Sequence, residues 1–202
     1  MPKVISVLAV VALVLAGVPA GAWTIPCDFL TGGGFIITSG FNPTHAPDKA
    51  NFSIGGSCKP GGDGHGLWGH LEYIDHGSGL NAHWLTITAY INGGDTGTDP
   101  KTGQPTGTRL ICGTARTNTY GDVNWVAKAK DVGEPGDDDE FEIRMTQPVT
   151  GGPQHVVYTT EFDPNHTLGG TGSGGGNIQL HKPNPSITGD FGGPCPAFTD
   201  LR

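Results

Sequence analysis

The stretch AKAKDVGEPGDDDEFEIRM, residues 127–145, gathers the side chains with the clearest chemical potential in this chain. Pro135 followed by Gly136 fits the two central positions of a type II turn, so the flanking runs should fold back as a hairpin. A register in which paired residue numbers sum to 270 sets Trp125 opposite Met145, Ala127 opposite Ile143 and Ala129 opposite Phe141. On the other face Lys128 then meets Glu142 and Lys130 meets Glu140. Both faces agree in this one register, which a random pairing would rarely achieve. The same register sets Asp131 against Asp139, with Glu134, Asp137 and Asp138 in the loop between. Like charges directly opposed destabilise a sheet. A Ca²⁺ ion held by Asp131, Glu134, Asp137 and Asp139 would offset that repulsion. Carboxylates accepting hydrogen bonds from loop N–H groups would do so without a metal, and that reading ranks ahead of the cation. The D-x-D-x-D-G spacing of an EF-hand is absent.

Eight histidines raise the question of a transition metal. In GLWGHLEYIDHGSG (66–79), His70, Glu72 and His76 fall on one face of a strand, a plausible ligand set for zinc or copper. Alternate strand residues lie about 7 Å apart, so His70 and His76 are too distant to share one ion without a bend. No G-x-S-x-G elbow, H-E-x-x-H helix or P-loop is present, so an enzyme would be a hydrolase of unrecognised type. The sequons Asn51-Phe-Ser53 and Asn165-His-Thr167 matter only in a eukaryotic source.

These groups need a scaffold, and the composition says which kind. The 202 residues include 35 Gly and 16 Pro, placed between short runs rich in Val, Ile, Thr, Phe, Tyr and Trp. That is an all-β signature, and no helical period stands out. Nine strands are expected at 34–39, 49–55, 66–75, 82–91, 107–117, 122–131, 139–146, 154–160 and 176–182, in an antiparallel β-sandwich or barrel. In AHWLTITAYI strict alternation puts Leu85, Ile87, Ala89 and Ile91 on one face and Trp84, Thr86, Thr88 and Tyr90 on the other. Segments 92–106 and 164–175 read as polar loops. The glycine clusters before Phe35 and before Asn177 could suggest a phosphate cradle. They run into strands of an acidic chain, so a steric role is expected: the first and last strands enter the sheet by similar kinks and lie near each other.

The first 22 residues have a secretory signal-peptide pattern: Lys3, an apolar run from Val4 to Leu15, and AGA at 20–22 before Trp23. One domain over 23–202 is expected, exported to an extracellular or periplasmic space. The full chain carries a net charge of −8, which disfavours nucleic-acid partners. Four cysteines in an exported chain read as two disulfides, with three possible connectivities. The favoured one joins Cys27 to Cys195 at the ends, with Cys58–Cys112 inside. No C-x-x-C pair supports zinc.

Three marks occur in order: TGGGFI (31–36), DVGEPGDDDEFEI (131–143) and GGNIQLH (175–181), with GHLEYIDH (69–76) and ICGTA (111–115) between. On these the chain resembles the post-COAP-1 type of domain found in bacterial secreted and surface proteins, over about residues 30–182. The resemblance implies export and a β fold. It transfers no catalytic residue. The leading expectation is therefore a secreted, non-catalytic extracellular or cell-surface module with a protein or polysaccharide partner. A Ca²⁺-assisted ligand-binding module, carbohydrate included, using Trp68, Trp84 and Tyr90 comes second, and an unrecognised hydrolase third.

Overall fold

A computed structural model describes residues 27–40, 46–62, 64–148, 153–170 and 174–197. The leader and its cleavage point lie outside the described residues. The strands are β1 (Phe29–Thr38), β2 (Asp48–Pro60), β3 (Leu67–Asp75), β4 (Leu80–Thr98), β5 (Pro105–Thr117), β6 (Gly121–Asp131), β7 (Glu140–Gln147), β8 (His155–Thr159) and β9 (Gly176–His181). They form one open antiparallel sheet in the order β8-β7-β6-β5-β4-β3-β2-β1-β9. Neighbours in sequence are neighbours in space, except that β9 returns to lie beside β1. Among the described residues no helix is long and apolar enough to cross a membrane.

The sheet bends over its own core. Phe52 of β2 stacks on Phe141 of β7 at 3.9 Å between ring centroids, and the Tyr73 and Tyr158 hydroxyls of β3 and β8 meet at 2.7 Å. Val123, Trp125, Ala127 and Ala129 of β6 and Phe141, Ile143 and Met145 of β7 all enter this core. Their pairing is the register read from the sequence, from Asn124 opposite Thr146 to Lys130 opposite Glu140. On the face away from this core Lys128 reaches Glu142 at 2.7 Å and Lys130 reaches Glu140 at 2.6 Å.

Two expectations about β4 are corrected. Residues 92–106 are not a loop: β4 runs on to Thr98, β5 starts at Pro105, and only a short turn separates them. The polar composition there reflects a two-stranded arm reaching beyond the core. Strict alternation also fails. Bulges between Trp84 and Thr86 and between Ile87 and Ala89 each insert an unpaired residue and flip the faces. Ile87 and Tyr90 therefore both face the core, whereas Ala89 joins a smaller apolar cluster on the opposite face with Leu110, Cys112, Val126 and Ala197.

The disulfides are Cys27–Cys58 and Cys112–Cys195, not Cys27–Cys195 and Cys58–Cys112. Topology gives the reason. Phe29 pairs with Ser57, so Cys27 arrives beside the end of β2. After β9 the chain crosses back over β4, where Gly192 pairs with Tyr90 in a mutual bridge (3.1 and 2.8 Å), and this delivers Cys195 to Cys112 of β5. Replacing Cys112 and Cys195 together by serine should lower the unfolding free energy by about 4 kcal/mol, the loop-entropy value for a long closed loop. Urea titration reads this, and a loss under about 1 kcal/mol would contradict a constraint at that position.

The glycine clusters do meet. Gly34 pairs with Gly176 and Gly33 with Asn177. A Cβ on Gly34 would lie 2.2 Å from the Gly175 carbonyl oxygen, and one on Gly176 would lie 2.2 Å from that of Gly33. The backbones of β1 and β9 approach too closely there for any side chain.

Candidate functional site

The carboxylates singled out in the sequence converge on β9. Because β9 pairs with β1 on one side only, the N–H groups of Ile178 and Leu180 on its other edge need acceptors. Asp139 Oδ2 accepts from Ile178 (2.7 Å) and its Oδ1 from Val132 (2.9 Å). Asp131 Oδ2 accepts from Leu180 (2.7 Å) and its Oδ1 from Gly133 (2.8 Å). Glu134 accepts from Asn177 Nδ2 (3.1 Å) and Gln179 Nε2 (2.8 Å), and its carbonyl accepts from Lys101 Nζ (2.7 Å). Asp137 and Asp138 are exposed. Main-chain amides thus supply the offset that the opposed aspartates require. Among the described residues no group of three or more His, Cys, Asp or Glu side chains is gathered as for a metal ion.

The loop differs from the type II turn expected. Gly136 N–H donates to Gly133 O (3.0 Å) across a cis Glu134–Pro135 bond, so Pro135 is the third residue of its turn, as in type VI. Gly136 has φ +85°, and a Cβ on it would lie 2.3 Å from Asn177 Oδ1, so both conformation and space demand glycine. Burial, reinforced by the nearby Asp131 and Glu134 carboxylates, outweighs the two N–H bonds and pushes the Asp139 pKa up to about 6. Burial raises Asp131 as well.

A second cluster lies on the face of β9, β1, β2, β3 and β4 turned away from the core. Alternation along β2 turns Asn51 and Ser53 outward, between core residues Ala50, Phe52 and Ile54. His70 lies over Gly55, whose absent side chain leaves room, and its Nε2 meets Ser53 Oγ at 2.9 Å. His181 Nε2 meets Thr31 Oγ1 at 2.8 Å, and its ring stacks on Phe29 at 4.3 Å. His76 Nε2 meets Asn51 Oδ1 at 2.9 Å, and His83 pairs with Glu72 across the β3–β4 ladder. Burial lowers the pKa of His70 and of His181, opposed by Glu72 and Glu134 respectively. His70 and Glu72 lie on β3 and His76 just past its end, and the three do not converge, each having its own partner.

Below this face a shallow cleft of about 70 Å³ is lined by Phe29, Ser57, Lys59, Trp68, Asn184 and Ile187. Phe29 sets its edge against Trp68 (6.1 Å between centroids), and Lys59 Nζ stands 5.3 Å from the Trp68 ring centre. Of the aromatic side chains expected to contact a ligand, Trp68 and Trp84 are half-buried, but Tyr90 is wholly buried and donates to Asp28 Oδ1 at 2.8 Å. The bulge at Thr88 turned it inward. The sequence reading missed Ser53, Thr31, His181, Phe29 and Lys59. Alternation along β1, β2 and β9 marks the first four positions as outward or edge residues, but only the strand order assembles them.

Ser53 and His70 stand as a nucleophile and base would. Among the described residues, the main-chain N–H groups of β2 around Ser53 face the ladders with β1 and β3 and not an oxyanion beside its hydroxyl. What the face offers is a fixed polar surface with aromatic walls. No protein-family model, curated protein or solved structure matches this chain.

Proposed function

We propose that the protein is an exported, non-catalytic β module that presents the outward face of β9 and β1–β4 to an extracellular ligand. One observation carries this reading. The polar side chains of that face are held in fixed pairs (Ser53–His70, Thr31–His181, Asn51–His76, Glu72–His83) beside half-buried Phe29 and Trp68. A surface ordered before binding loses little side-chain entropy on contact. Two disulfides and the signal-peptide pattern support an oxidising, extracytoplasmic location. The resemblance to post-COAP-1 type domains supports the same placement.

The non-catalytic part is tested with chromogenic ester and glycoside substrates, comparing the wild type with Ser53→Ala and His70→Ala. Equal, background-level turnover in all three is expected. Turnover above background that either substitution abolishes would replace this reading with that of a hydrolase.

A further inference from the structure

We infer that the cleft between Phe29, Trp68 and Lys59 is the anchoring subsite for a carboxylate-bearing sugar ring of an acidic polysaccharide. This deepens the module reading above and rests on it. Three features point the same way. The Trp68 ring, braced edge-on by Phe29, forms an apolar wall of the kind on which the C–H face of a sugar packs. Lys59 stands over that wall, and no carboxylate of the described residues lies within ion-pair distance of it. Arg109, Arg116, Lys128, Lys130 and Arg144, by contrast, are each paired with an acidic side chain. In a chain of net charge −8, the Lys59 ammonium is a local cation whose attraction is left for an anion outside the molecule. Asn184 adds a hydrogen-bonding amide at the rim, its Oδ1 accepting from Ser186 N–H at 2.9 Å.

The size and surroundings favour a polymer over a single sugar. The cleft seats one edge of a ring. A second ammonium on the same face, Lys49, stands 3.9 Å from the centre of Phe35. Phe35 lies about 20 Å along β1 from Phe29 at strand rise, so one small sugar cannot reach both. An extended chain carrying repeated carboxylates can.

The test is a fluorescence titration and affinity electrophoresis of the wild type against polygalacturonate, neutral dextran and polyglutamate. Polygalacturonate should bind and perturb Trp68. Dextran should bind at least tenfold more weakly for want of charge, and polyglutamate equally weakly for want of a ring. Lys59→Ala should weaken polygalacturonate about tenfold, with Lys59→Arg close to wild type. Trp68→Ala should abolish binding, its melting curve checked against the wild type. Lys59 is partly exposed and not in the core, so its variants report binding even if Trp68→Ala unfolds. Equal affinity for dextran and polygalacturonate, with Lys59→Ala unchanged, would overturn the subsite and leave the module reading standing. Equal affinity for polyglutamate would reduce the cleft to a charge effect and overturn it too. Binding of none of the three would overturn it as well, whereas the module reading itself falls on the turnover assay.

Discussion

Alanine at Asp139 is expected to remove about 4 kcal/mol of unfolding free energy, one of the largest effects of any single substitution outside the apolar core. Its carboxylate accepts from Ile178 and Val132, and Asp139 is fully buried, so its loss leaves the buried Ile178 N–H and the partly buried Val132 N–H with no acceptor. Each such orphan costs about 1–3 kcal/mol. The damage should be local. Amide exchange at Ile178 and Leu180 should accelerate far more than in β5 or β6, because β9 loses one side of its support. A loss under about 1 kcal/mol, or uniform acceleration of exchange, would show that Asp139 does not hold β9. Asparagine at the same place gives a pH test. The Asp139 pKa stands near 6 in the folded protein, above the usual carboxylate value. Between about pH 4 and 6 the folded state therefore holds a proton that the unfolded chain has released. Stability from this group is complete below that window and falls as pH rises through it. The wild type should accordingly gain on Asp139→Asn as pH is lowered from 7 to 4. His70 and His181 titrate in both proteins and cancel in the difference.

Methionine at Arg109 should cost about 3–5 kcal/mol by stranding a buried aspartate. Arg109 is 1% exposed yet carries a full charge. Its Nε donates to Asp28 Oδ1 at 3.1 Å and Nη2 pairs with the other Asp28 oxygen, while Nη2 also reaches Asp95 (2.7 Å) and Nη1 reaches Asn92 (3.0 Å). Tyr90 adds a hydrogen bond to Asp28, and the guanidinium lies 5.5 Å from the centre of Phe191. One side chain thus joins the segment before β1, the β4 arm and the returning C-terminal segment. The double variant Arg109→Met with Asp28→Asn should recover a good part of the loss, because no uncompensated charge remains. Urea titration of both decides the matter. A double variant as unstable as the single one would show that packing, and not the stranded charge, sets the cost.

These two sites also mark how far the sequence could be read. Local patterns were legible: the β6–β7 register followed from residues within one hairpin, and Asp131 and Asp139 were recognised as needing an offset. What supplies the offset was not legible, because β9 arrives from nearly forty residues downstream. The glycine repeat did point to contact between the first and last strands, since only glycine permits so close a backbone approach. The disulfides were misread because the chain leaves β9 and crosses to β5, a return that no periodicity records. Arg109 shows a missed signal. It alternates with Ile111 and Ala115 on the core face of β5, so an arginine in that pattern calls for a buried acidic partner. The faces of β4 escaped because bulges leave no mark in composition.

The placement of the two disulfides also decides how the molecule would respond to pulling. A force applied at residues 27 and 195 passes through sulfur to Cys58 at the end of β2 and Cys112 in β5. β1 lies in the loop closed by Cys27–Cys58 and β9 in the loop closed by Cys112–Cys195, so the β1–β9 ladder ties the two loops together and carries load, whereas the aspartate-braced seam and β6, β7 and β8 lie within the second loop and outside the path of tension. Tension is borne by the β1–β9 ladder and by the ladders joining β2, β3, β4 and β5. Only the chain between Cys58 and Cys112 can be drawn out while the bridges hold, to a contour of roughly 190 Å at about 3.5 Å per residue. Under load the protein would behave as a short tether of fixed maximum length, with β9 and its aspartate-braced seam kept beside β6 to β8 at one end.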